Sequence, residues 1–151
     1  MITILKATLI GGLIAATLDI IWAISIAYLA KKMPPQKLLQ FVASGLLGVK
    51  AYARGWSSAA LGLLSHYIIA LVMAFAFVVV ARQIPVILVY PLIAGAAYGV
   101  FLFFVMNWIV VPRSGTVPKL PLKGPRLVME IIAHIVLVGM PIALIAACFI
   151  K

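Results

Sequence analysis

Residues 127–150 read LVMEIIAHIVLVGMPIALIAACFI, and this stretch decides how the chain is understood. It exceeds the roughly 20 residues needed to cross a hydrocarbon core. Yet it carries Glu130 and His134, four residues apart and therefore on one helical face. Working outward, three further runs have the same character. They are about residues 7–30, interrupted by Asp19; about 57–81, with His66 inside; and about 85–111, with Asn107 near the end. In lipid, only helices and closed barrels satisfy every backbone polar group. Barrel strands are short and alternate in polarity, which these runs do not. The expectation is an all-α, integral membrane bundle of four transmembrane helices, forming one domain over residues 1–151.

Composition leads to the same class. Hydrophobic residues make up 67% of the chain, and mean hydropathy is +1.31. Charged residues are 9%, whereas a soluble domain carries about a quarter. A soluble enzyme and a disordered segment are therefore both excluded. Cys148 is the single cysteine, so no disulfide framework exists within the chain. The net charge of +10 suggests nucleic acid at first sight, but the basic residues lie in the gaps between apolar runs. There they orient helices and meet anionic lipid headgroups, so no nucleic-acid partner is expected.

The first run could be taken for a signal peptide over residues 1–18, but it continues past Asp19 to Ala30 and is followed by Lys31 and Lys32. It reads as a spanning helix. Four spans put both termini on one face, with Lys6, Arg82 and Lys151. The other face holds Lys31, Lys32, Lys37, Lys50 and Arg54 in the first connection. In the third it holds Arg113, Lys119, Lys123 and Arg126. Nine against three places the two long connections in the cytoplasm and both termini outside. Tyr28, Trp56 and Trp108 fall near the cytoplasmic interface and Tyr90 near the outer one, as an aromatic belt would.

The connections differ in kind. Met33-Pro34-Pro35 ends the first helix, and residues 36–48 then place Leu38, Leu39, Val42 and Leu46 at helical spacing. That segment is too short to span. It predicts an amphipathic helix on the cytoplasmic surface between helices 1 and 2. Residues 112–126 are basic and hold Pro112, Pro118, Pro121 and Pro125, which predicts an irregular loop. Close helix packing is expected at Gly95-x-x-x-Gly99 and at Gly139 with Ala143 and Ala147. Small residues also flank Asp19 (Gly12, Ala16, Ala23) and His66 (Ala59, Gly62, Ala70), which points both polar groups into the bundle.

Polar groups inside a membrane cost at least about 2.5 kcal/mol when charged, so Asp19, His66, Asn107, Glu130 and His134 form the candidate site. Three readings are open. Two imidazoles and two carboxylates, His66, His134, Asp19 and Glu130, suit a divalent metal such as zinc or iron. A hydrogen-bonded series of carboxyls and imidazoles also makes an ion or proton pathway, because imidazole changes charge near neutrality. The third reading is a structural network that locks helix packing. Asn107 by itself fits a bond to a neighbouring helix. No Walker loop, dinucleotide fingerprint, nucleophile elbow or CxxC pair is present, and Ser65 and His66 point about 100° apart on a helix.

The stretch from His66 onward resembles the small YagU-like inner-membrane proteins of bacteria. The resemblance rests on His66-Tyr-Ile-Ile-Ala, Pro85, Ile93-Ala94-Gly95-Ala96, Pro112 and Glu130-Ile-Ile-Ala-His134. It covers somewhat more than half of the chain and implies a bacterial cytoplasmic membrane and a helical bundle, with no activity attached. The leading functional reading is transport or permeation of a cation or protons, carried out by a homo-oligomer or with a membrane partner. An accessory or scaffold subunit is the alternative, and a membrane-embedded metalloenzyme the third.

Overall fold

A computed structural model describes residues 1–116 and 123–150. Lys119 and Lys151, both counted in the charge asymmetry, and residues 117–122 of the predicted irregular loop lie outside the described residues. The described residues are all-helical. Four helices are long and apolar enough to cross a membrane: α1 (Ile2–Lys31), α3 (Gly55–Gln83), α5 (Pro91–Arg113) and α6 (Pro125–Ile150). Between them lie α2 (Pro35–Leu47), a 3-10 turn (Gly48–Ala53) and the single turn α4 (Val86–Val89).

Prolines set most of the boundaries. α1 ends with Lys32 in the left-handed region (φ 52°), where the Lys32 and Met33 N–H groups donate to Tyr28 and Ala27 carbonyls. Pro34 and Pro35 then prevent continuation, and Pro35 opens α2 at a position where its missing N–H costs nothing. The third helix of spanning length starts at Pro91, later than the expected residue 85. A proline disfavours helical geometry in the residue before it, and Tyr90 accordingly breaks the run after α4.

Two more prolines lie inside the spanning-length helices. α5 is π-helical over Val105–Val110 and α6 over His134–Gly139. Each wide turn closes two residues before a proline, Pro112 or Pro141. A proline ring pushes away the carbonyl four residues earlier, and a wider turn absorbs that displacement. At Pro112 the displaced carbonyl is that of Trp108. The Arg113 guanidinium turns back to it (3.4 Å) and to the Ile109 carbonyl (3.5 Å).

Helix α1 lies between α3 and α6, and α6 in turn packs on α5. Small residues bring the backbones together. Gly12 rests on Leu71 and Ala74 of α3, while Gly11 faces Ile142 and Ile145 of α6. Gly95 and Gly99 meet the π-helical turn of α6 so closely that a Cβ at Gly99 would lie 2.5 Å from the His134 carbonyl oxygen. The two ends of the bundle are unlike. The end marked by Arg82 and both termini holds the main core, with Ala15, Ala74, Val78, Ile142 and Ala146 almost fully buried. The end marked by Lys31 has a much smaller cluster of Ile20, Leu39 and Ala59.

Helix α2 crosses α3 at Gly62, against the backbone of Leu39–Ala43. Its buried face is Leu39, Gln40, Ala43 and Ser44. This differs from the apolar stripe predicted by spacing: Leu38 and Val42 are half-buried, and Leu46 is 68% exposed. The close approach to Gly62 is made by the backbone of Leu39 and Ala43, which fixes the face of α2 that is buried. Gln40 adds a hydrogen bond from Nε2 to the Gly55 carbonyl (3.0 Å), and Ser58 one to the Ala51 carbonyl (2.6 Å). The Gly115 N–H donates to the Gly45 carbonyl (2.9 Å), tying the segment after α5 to α2.

Helices α3 and α5 are joined through a side chain. The Tyr98 hydroxyl donates to the Met73 carbonyl at 2.8 Å, and its ring packs on Phe77. Tyr98→Phe is expected to cost about 1 kcal/mol. Thermal unfolding in detergent checks this, with the exposed Tyr90→Phe as the unaffected control.

Candidate functional site

The open end of the bundle holds two adjoining cavities. The smaller, of about 440 Å³, is lined by Asp19, His66, Glu130 and Arg126 with apolar walls from Trp22 and Ile26. The larger, of about 690 Å³, is lined by Asp19, Glu130, His134, Asn107, Lys37 and Tyr52 among others. Asp19, Glu130, Lys31, Leu38, Phe41 and Arg126 belong to both, so the two share walls and together make up one polar region. A third cavity, of about 650 Å³, lies at the opposite end beside Thr3, Arg82, Pro85 and Phe149. The main core stands between it and the polar space.

Each polar residue is positioned by its own element. Asp19 and Trp22 are three residues apart on α1 and share a face. His66 reaches α1 from α3: its Nε2 is 2.9 Å from the Ala16 carbonyl oxygen and 4.0 Å from Asp19 Oδ2. A carbonyl only accepts, so Nε2 carries the hydrogen, and Nδ1 is the ring nitrogen left to exchange a proton. On α6, His134 Nδ1 lies 2.9 Å from the Glu130 carbonyl one turn back, which fixes the opposite tautomer and leaves Nε2 to exchange. Phe103 of α5 holds the His134 ring edge-to-face at 5.5 Å. Arg126 sits one turn before Glu130 on the same face of α6.

All five residues picked from sequence line this space, but they do not converge on one point. Asp19 and His66, with Oδ2 and Nε2 4.0 Å apart, are the one carboxyl–imidazole pair within that distance among the described residues. His66 lines the smaller cavity and His134 the larger. Among the described residues no three His, Cys, Asp or Glu side chains gather as metal ligands would. Asn107 donates to the Phe103 carbonyl of its own helix (2.9 Å), where spacing suggested a neighbouring helix. Gly95, Gly99 and Gly139 lie at the α5–α6 contact.

The walls hold residues that sequence reasoning passed over. Lys31, Lys32, Lys37 and Arg126 are exposed and surround the opening. Their distribution along the sequence assigns them to helix orientation and to anionic headgroups, not to the walls of a cavity. Tyr52 reaches the larger cavity from the 3-10 turn, where burial pushes its phenol above the usual range, partly offset by a hydrogen bond with Ser44. Its proximity was not readable, because it depends on how the turn folds back. Trp22 had one available signal, its place one turn from Asp19.

No family model, curated protein or solved structure matches the chain. The geometry of the space is therefore what bears on function.

Proposed function

We propose that the chain is a multi-pass protein of a bacterial inner membrane that carries protons to and from a polar site inside its helix bundle. In this reading the Lys31 end faces the cytoplasm and both termini face outward, as the distribution of basic residues favours. The YagU-like resemblance supports the bacterial membrane. The observation that carries the reading is the pair of adjoining cavities lined by Asp19, His66, Asn107, Glu130 and His134, at one end of the bundle and backed by a close-packed core.

Among the described residues no three His, Cys, Asp or Glu side chains gather as a metal would need, which favours protons over a bound metal ion. Asp19 beside His66, and Glu130 one turn from His134, then give two carboxyl–imidazole stations. Release at the far side requires a second state in which the Arg82 end opens.

The test is reconstitution in liposomes loaded with a pH-sensitive dye, with a potassium diffusion potential as driving force. The expected result is proton uptake well above empty liposomes, lowered at least about tenfold in Asp19→Asn/Glu130→Gln, a loss typical of removing a proton-transfer group. The double variant should unfold within a few degrees of the parent protein. Uptake no faster than in empty liposomes, or an unchanged rate in the variant, would overturn the proposal.

A further inference from the structure

Beside the smaller polar cavity runs a groove of about 210 Å³ between α1 and α6, almost wholly apolar. Trp22 and Met129 line both spaces, so the groove adjoins the polar cavity. Its α6 wall is Met129, Ile132 and Val136, all exposed on one helical face, with Ala133 buried at its base. From Met129 to Val136 the helix advances about 10 Å, at ~1.5 Å per residue. Arg126 lies less than one turn before Met129, at the Lys31 end.

We propose that this groove binds one acyl chain of an anionic glycerophospholipid, with the phosphate held at the opening by Arg126 and Lys31. Charge complementarity selects the headgroup: Lys31, Lys32, Lys37 and Arg126 are exposed there, and none of them forms an ion pair with a carboxylate among the described residues. The order of features selects a lipid. Proceeding along α6 from Arg126, one meets first the basic opening and then a purely apolar channel toward the middle of the helix, as headgroup and tail are ordered in a leaflet. The inference requires the chain to lie in a bilayer. It does not require proton transport, and the two assays fail independently.

The experiment is native mass spectrometry of the full chain in detergent with equimolar phosphatidylglycerol and phosphatidylcholine of identical acyl chains. Two basic side chains near a phosphate give an expected preference of about 30-fold for the anionic lipid. Lys31→Gln/Arg126→Gln should bring the two lipids level, while Lys6→Gln/Arg82→Gln at the opposite end should leave the preference unchanged. Val136→Trp, which fills the groove from its exposed side, should reduce adducts of both lipids about tenfold. Glycerol phosphate, which lacks a tail, should not compete. Equal binding of the two lipids by the parent protein, competition by glycerol phosphate, or a Val136→Trp protein that binds as before would each overturn the proposal. So would a dimer without lipid adducts, which would assign the groove to a second copy of the chain.

Discussion

Gly139→Ala is expected to destabilise the bundle by about 3 kcal/mol or more, whereas Gly11→Ala should be neutral or stabilise it by up to about 1 kcal/mol. The two positions look alike in sequence, each being a glycine inside a long apolar run. They differ in what a methyl group would meet. At Gly139 a Cβ would lie 2.6 Å from Gly99 N, 2.8 Å from Gly99 Cα, and closer still to the Gly95 carbonyl oxygen. All three are backbone atoms, so no rotamer change relieves the overlap and α5 must move away from α6. At Gly11 the nearest atoms, on Ile142 and Ile145, stand at 3.5 Å, an ordinary contact. There alanine adds packing and reduces the entropy lost on folding. The difference should appear as a gap of roughly 10 °C between the two variants' melting temperatures in detergent. Coincident melting curves would show that the α5 and α6 backbones do not touch.

This contrast also shows how far the sequence could be read. The four spanning-length helices were legible because an apolar run of that length has few other stable forms. Prolines were legible where they fall between runs, as at Pro34 and Pro35. They were less so within a run: Pro91 moved the start of α5, and Pro112 and Pro141 produced wide turns that spacing rules do not announce. The small residues around His66 were read as one stripe facing the bundle. In the structure, Ala59 and Gly62 serve α2, while His66 itself reaches α1. Periodicity gives the face of a helix but not the identity of the element that covers it.

The candidate site was legible as a set and illegible as an arrangement. An Asp, a Glu and two His in apolar helices stand out because such groups are costly there. Their separation into an Asp19–His66 pair and a Glu130–His134 turn depends on α1 lying between α3 and α6, and no local pattern encodes that order. The basic residues at the opening were hidden for a different reason. Lys31 and Arg126 are far apart in sequence and already had an explanation as orienting charges, so nothing local marked them as walls of one space.

Gly62→Ala is the second substitution expected to have a large effect, and it tests α2 alone. A Cβ at Gly62 would lie 2.9 Å from the Leu39 carbonyl carbon, 3.0 Å from Ala43 N, and closer than either to the Leu39 oxygen. Helix α2 must therefore lift from α3, at a cost of about 2–3 kcal/mol. The loss is local, because the α1–α6 and α5–α6 contacts do not involve Gly62. Hydrogen exchange should report it as a fall of about 30- to 150-fold in the protection of the amides of Leu39–Ser44, with those of α6 beyond Met140 unchanged. The proposed proton path should respond differently. Helix α2 walls the polar space through Lys37, Leu38 and Phe41, but Asp19, His66, Glu130 and His134 all sit on α1, α3 and α6. Liposome uptake by Gly62→Ala should then stay within about twofold of the parent, since no proton-transfer group is removed. A loss of uptake as deep as that of Asp19→Asn/Glu130→Gln would make α2 part of the path instead of its wall. Unchanged protection of Leu39–Ser44 would mean that α2 does not rest on Gly62 at all.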